Sequence, residues 1–138
     1  MNRKQALAQY LEVEVSEVEK LPYGDNLFKM GDQEYLIVND AEANKAAREY
    51  ILDSLWAFRG SFIADHLKPQ FDAYMGARDI EEYCAMKCEG ANDWVKGLIK
   101  NKTEFVNDAI SADGRGHFLA RYDGNENQFG TWFIYRIN

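Results

Sequence analysis

Chemically reactive side chains are scarce in this 138-residue chain, which has two cysteines, two histidines and two prolines. Cys84 and Cys88 stand four apart and share a face of any helix that holds them. A disulfide framework needs more cysteines. Structural zinc needs two further ligands, and His66 and His117 have no metal-ligand spacing to the cysteines. No metal or other cofactor is therefore expected. No apolar run approaches the roughly 20 residues that cross a bilayer. Met1–Tyr10 carries Arg3 and Lys4 with no apolar stretch behind them, so no secretory leader is expected either. Two thiols without an export signal point to a reducing, cytoplasmic setting. Walker loops, zinc-finger spacings, internal repeats and low-complexity linkers are all missing.

Positive charge is also in short supply. Sixteen Lys and Arg stand against 23 Asp and Glu, a net charge of −7. Direct binding of nucleic acid is disfavoured, because duplex affinity comes from Lys and Arg neutralising phosphates. An anionic membrane surface is disfavoured for the same reason. A basic protein partner is attracted instead, including a groove that otherwise holds nucleic acid. Acidity of this size is also what plain solubility requires. The charge is unevenly spread, at −4 over residues 1–60, −3 over 61–112 and zero over 113–138. The segment after Leu11 carries Glu12, Glu14, Glu17 and Glu19, the wrong charge for a DNA-reading helix.

What remains is a globular composition, with 46% hydrophobic and 28% charged residues. The length suits a single domain, residues 1–138. Arg3–Leu11 has helical spacing, and Ser16-Glu17-Val18-Glu19 has the form of a capping box that opens a second short helix before Pro22. Leu27–Met30 and Glu34–Val38 read as a β-hairpin about Gly31-Asp32, with Gly31 at positive φ. Asn39 to Phe58 reads as one long helix capped by Asn39 and Glu42, with Leu52 and Trp56 as a second apolar edge four residues apart. That edge is either wrapped by other elements or a partner-binding patch. Ser61–Leu67 suggests a short helix, Asp79–Ile99 a long one weakened by Gly90 and Gly97, and Thr103 the cap of a last one. The period then changes. His117–Tyr122 and Thr131–Ile137 are β-rich, with residues 123–130 between them. The expected class is α+β, a small antiparallel sheet from two hairpins packed against several α-helices.

One constellation allows an enzyme reading. His117 would be a general base, Asp113 or Asp123 its orienting carboxylate, and Arg115 an anion clamp, with Gly114 and Gly116 letting backbone N–H groups approach a phosphate. Gly and Asp are equally the residues of an ordinary tight loop. His66 sits in an apolar segment and reads as a structural histidine. Six of the nineteen aromatics (Phe118, Tyr122, Phe129, Trp132, Phe133 and Tyr135) fall in the last 21 residues beside Arg121 and Arg136. An exposed sheet of that kind stacks bases, whereas a buried one is core.

The Ser54-Leu55-Trp56-Ala57-Phe58 and Asp113-Gly114-Arg115-Gly116-His117-Phe118-Leu119 blocks, with Glu34–Val38 and the ending Ile134–Asn138, resemble a family of small uncharacterised phage and prophage proteins. The resemblance carries no catalytic residues. It implies a phage protein working in bacterial cytoplasm, where small acidic proteins inhibit host defence or regulate host machinery. The resulting expectation is a protein-binding module that docks on a host or phage protein through Glu12, Glu14, Glu17 and Glu19, with Leu52 and Trp56. It would inhibit a nucleic-acid-handling or defence protein by charge mimicry. The alternative is a small enzyme or ligand-binding protein built on the Asp113–His117 loop.

Overall fold

The computed structural model describes residues 1–138 and bears out the α+β class, with eight α-helices and one five-stranded antiparallel sheet. The chain runs α1 (Arg3–Leu11), β1 (Val18–Lys20), β2 (Leu27–Met30), β3 (Gln33–Val38), α2 (Asp40–Asp53), α3 (Gly60–Ala64) and α4 (Pro69–Asp72). It continues through α5 (Ala77–Lys87), α6 (Asn92–Leu98), α7 (Lys102–Asp113), α8 (Arg115–Leu119), β4 (Asn127–Phe129) and β5 (Trp132–Arg136). Two compact units divide it, one of Met1–Ala47 with Asp113–Asn138 and one of Arg48–Ala112. No helix is long and apolar enough to cross a membrane.

The first unit is built on the sheet, in the order β1-β2-β3-β5-β4. The β2–β3 hairpin forms as expected, and Gly31 takes φ +61° as its turn requires. The second hairpin differs from expectation, because β5 pairs with Asn127–Phe129 and not with residues 117–122. The central pair sets Ile37 opposite Ile134, Leu36 opposite Tyr135 and Val38 opposite Phe133. Alternation then divides the side chains between two faces. Phe28, Tyr35, Ile37 and Ile134 pack with Leu7 and Ala8 of α1. Leu36, Val38, Phe133 and Tyr135 pack with Ala43 of α2, Leu119 of α8 and Ala120. Both faces are therefore covered, which is why β3 and β5 read as continuous apolar runs. The edge strands β1 and β4 have only three residues each, which limits open-edge pairing.

Two local expectations fail in this unit. Ser16–Glu19 is not a helix. A single 3-10 turn, Val15–Glu17, leads straight into β1, because Val18 is fully buried and pairs with Met30. His117–Tyr122 is not a strand. Arg115–Leu119 is helical, and Ala120 N–H donates to the Gly116 carbonyl (2.8 Å). Tertiary contacts override β propensity there.

The second unit is helical, and the long helices expected in it are interrupted. The helix expected to reach Phe58 stops at Asp53. Asn92 Nδ2 donates to the Leu52 carbonyl (2.8 Å), Trp56 N–H donates to Asn92 Oδ1 (3.3 Å), and the Ser54 hydroxyl donates back to the Tyr50 carbonyl. The long helix expected over 79–99 is two helices, α5 and α6. They are separated at Cys88, which has φ +49°, and by a 3-10 turn. The Asn39–Glu42 capping box does form. Glu42 N–H donates to Asn39 Oδ1 (2.8 Å) and Asn39 N–H to Glu42 Oε1 (2.9 Å). At α7 the cap is Asn101 rather than Thr103, with Glu104 N–H donating to Asn101 Oδ1 (3.0 Å).

Candidate functional site

The Asp113–His117 loop is the densest polar motif in the sequence, and its side chains diverge. Gly114, at φ +81°, turns the chain between α7 and α8. Gly116 lies against backbone, and a Cβ there would come 2.5 Å from the Gly124 carbonyl oxygen. Arg115 is pulled inward, with its side chain only 11% exposed. Its Nε donates to Glu126 Oε1 (2.8 Å). Its Nη1 donates to Asp40 Oδ1 (2.9 Å) and Asn44 Oδ1 (3.0 Å), and the guanidinium lies 4.6 Å from the Phe133 ring centre. Burial alone would lower the pKa of Arg115. Its hydrogen bonds to Glu126 and Asp40 outweigh that and hold the guanidinium charged above its ordinary range.

Two neighbours share this network. Burial opposes ionisation of Glu126, yet hydrogen bonds from Arg115 and from the Tyr135 hydroxyl hold its carboxyl below the usual range. Burial, then the Glu126 carboxylate, push the Tyr135 phenol up. An arginine neutralised by two carboxylates of its own chain has little left for an external anion. His117 is exposed, its side chain makes no hydrogen bond, and its ring centre lies 5.0 Å from that of Phe118. Asp123 accepts from Asn125 N–H (3.0 Å), and Asp113 closes α7. The loop therefore brings Arg115 to Glu126 and Asp40, and it brings neither Asp113 nor Asp123 to His117.

The aromatic tail is core and cation platform at once. Ile134 and Tyr135 are fully buried. Arg3 lies over Trp132, Arg115 over Phe133 and Arg136 over Tyr122, so three tail rings already carry a guanidinium.

The acidic run behaves differently. Glu12, Glu14, Glu17 and Glu19 are all exposed, on the connection from α1 into β1. Only Glu19 has a cation, with Lys29 Nζ at 3.5 Å. Glu17 accepts from Glu14 N–H (2.9 Å), which fixes the turn, and Glu12 takes the left-handed cap of α1 at φ +58°. Val15, 41% exposed, stands in their midst. By contrast, three of the seven arginines are ion-paired within the chain. Arg3 binds both oxygens of Glu42, Arg78 binds Glu82, and Arg115 is held as above. Leu52 and Trp56 are half-buried, and the end of α2 at Asp53 dissolves the helical edge expected to align them.

A third cluster escaped the sequence reading. His66, Glu104 and Asp108 place one imidazole nitrogen and two carboxylates within 4.8 Å of one another. The available signal was the four-residue spacing of Glu104 and Asp108, which sets both on one face of a helix. The distant His66 had no such mark. The surrounding core of Phe58, Phe62 and Phe105 holds its ring.

Comparison with known protein families, curated proteins and solved structures gives no match for this chain.

Proposed function

We propose that this protein is an acidic binding module that docks on a basic protein surface through the Glu12–Glu19 segment. The single observation that carries the reading is the contrast between charged groups in the first unit. Arg3 and Arg115 are neutralised internally, whereas Glu12, Glu14 and Glu17 are exposed without a cation. Carboxylates spaced along an ordered turn offer a basic groove what phosphates offer it, negative charge at intervals, without a nucleic acid. The exposed Val15 gives the same surface an apolar contact. The resemblance to phage and prophage proteins supplies the setting, a bacterial host cell. The partner is then a host protein that handles nucleic acid or defends against phage, and this chain inhibits it.

The enzyme alternative finds less support. Its anion clamp, Arg115, is spoken for by Glu126 and Asp40, and its base, His117, has no orienting carboxylate. The test is to immobilise the protein, recover its host partner, and measure affinity over a salt series. Affinity that falls steeply with ionic strength, and falls further when the four glutamates are changed to Gln, supports the reading. Affinity indifferent to salt defeats it.

A further inference from the structure

His66 ends the short helical stretch that begins with α3, and its backbone is pinned. Its carbonyl accepts from Lys100 N–H (2.8 Å), and the next residues bridge Leu67 to Ile99. The ring sits 5.3 Å from Phe62 and 5.0 Å from Phe105, centre to centre, and only 8% of the side chain is exposed. This packing fixes where Nε2 points, 3.2 Å from Asp108 Oδ2. Glu104 lies one turn before Asp108 on α7, so its carboxylate faces the same spot. Asp108 has no other ion-pair partner, Glu104 has none, and the imidazole makes no polar contact outside the trio.

We propose that His66, Glu104 and Asp108 bind a divalent first-row transition metal of the Zn²⁺ or Mn²⁺ kind. One nitrogen and two oxygens suit these ions. Mg²⁺ and Ca²⁺ prefer oxygen alone, and thiolate-loving ions find no sulfur here. Donors about 2.0–2.1 Å from a tetrahedral ion stand about 3.4 Å apart. Nε2 and Oδ2 are already at 3.2 Å. With no pair of donors more than 4.8 Å apart, the exposed Glu104 closes the set by rotamer change over about 1.5 Å. The buried imidazole is the fixed arm, and the two carboxylates are the adjustable ones. Three protein ligands leave a position open to water or to a side chain of a bound partner, as in open metal sites rather than closed structural ones. The ion would tie the segment after α3 to α7.

The full-length protein is titrated with ZnCl₂ by calorimetry, its thermal melting is followed with and without one equivalent, and Co²⁺ serves as a spectroscopic substitute. One equivalent binds, the melting temperature rises, and the Co²⁺ spectrum lacks a thiolate charge-transfer band. Glu104→Gln and Asp108→Asn each weaken binding at least tenfold while the circular dichroism stays that of the wild type. Should Asp108→Asn unfold, Glu104→Gln carries the test alone, because that side chain makes no contact the fold depends on. Absence of stoichiometric binding by the wild type overturns the proposal. So do Gln and Asn variants that bind as tightly as it does, or a thiolate band that places the metal on Cys84 or Cys88.

Discussion

Replacing Arg115 with Ala separates a structural arginine from a ligand-binding one. The substitution removes two ion pairs, one to the largely exposed Asp40 and one to the more buried Glu126, whose side chain is 32% exposed. The exposed pair is worth about 0.5 kcal/mol. The bond to Glu126 is worth about 1.5–2 kcal/mol, since removal leaves a half-buried carboxylate with only Tyr135 as donor. Stacking on Phe133 adds about 0.5–1 kcal/mol. The total is about 3 kcal/mol. With a urea m-value of about 1.5 kcal/mol/M, the unfolding midpoint falls by about 2 M at constant m. Arg115→Lys falls between, because an ammonium cannot span both carboxylates as the guanidinium does. His117→Ala stays within about 0.5 kcal/mol of wild type, as an exposed side chain without hydrogen bonds should. Urea titrations of the three variants at pH 7 decide. A loss below about 1 kcal/mol for Arg115→Ala would refute the assignment of Arg115 to the fold and return it to the ligand-binding alternative.

Other consequences follow from single residues. Hydrogen bonds from Arg3, then the Asn39 backbone, hold the Glu42 carboxyl below its usual range. Because its folded pKa is depressed, its contribution is complete above the unfolded value near pH 4.3 and disappears as pH falls through the lower folded value. Glu42→Gln therefore costs about 1 kcal/mol at pH 7, and its urea midpoint converges on that of wild type as pH falls below the folded value. A constant gap between the two curves would contradict this. Cys88 occupies φ +49°, ψ −130°, a region that favours glycine. Cys88→Gly raises stability by about 1 kcal/mol in thermal or urea unfolding, the relieved strain exceeding the entropy that glycine costs. A loss would mean the turn is not strained.

Elements whose determinants lie within a few residues were legible in the sequence. The Gly31 turn with its β2–β3 hairpin and the Asn39–Glu42 capping box are both local. Elements decided by a distant residue were not. Nothing near Ser54 announces that Asn92, 40 residues beyond Leu52, will take the Leu52 carbonyl and end α2. The helicity of Arg115–Leu119 goes with Arg115 reaching back to Asp40 and Asn44, some 75 and 71 positions away. The division into two units was hidden for a related reason, since its first boundary falls inside α2 with no linker to mark it. Among the candidate site residues, the exposure of the four glutamates followed from their charge. The internal use of Arg115 required the folded partners to be seen. The trio of His66, Glu104 and Asp108 needed two segments 38 residues apart to be placed side by side.

The central claim is that Glu12, Glu14, Glu17 and Glu19 make the surface by which this protein binds. Its most direct measurement is the slope of log affinity against log salt for the recovered host partner, taken with the wild type and with the four-fold Glu→Gln variant. The account predicts a steep negative slope for the wild type and a shallow one, from a lower starting affinity, for a variant as stable as the parent. Equal slopes and equal affinities for the two proteins would contradict it.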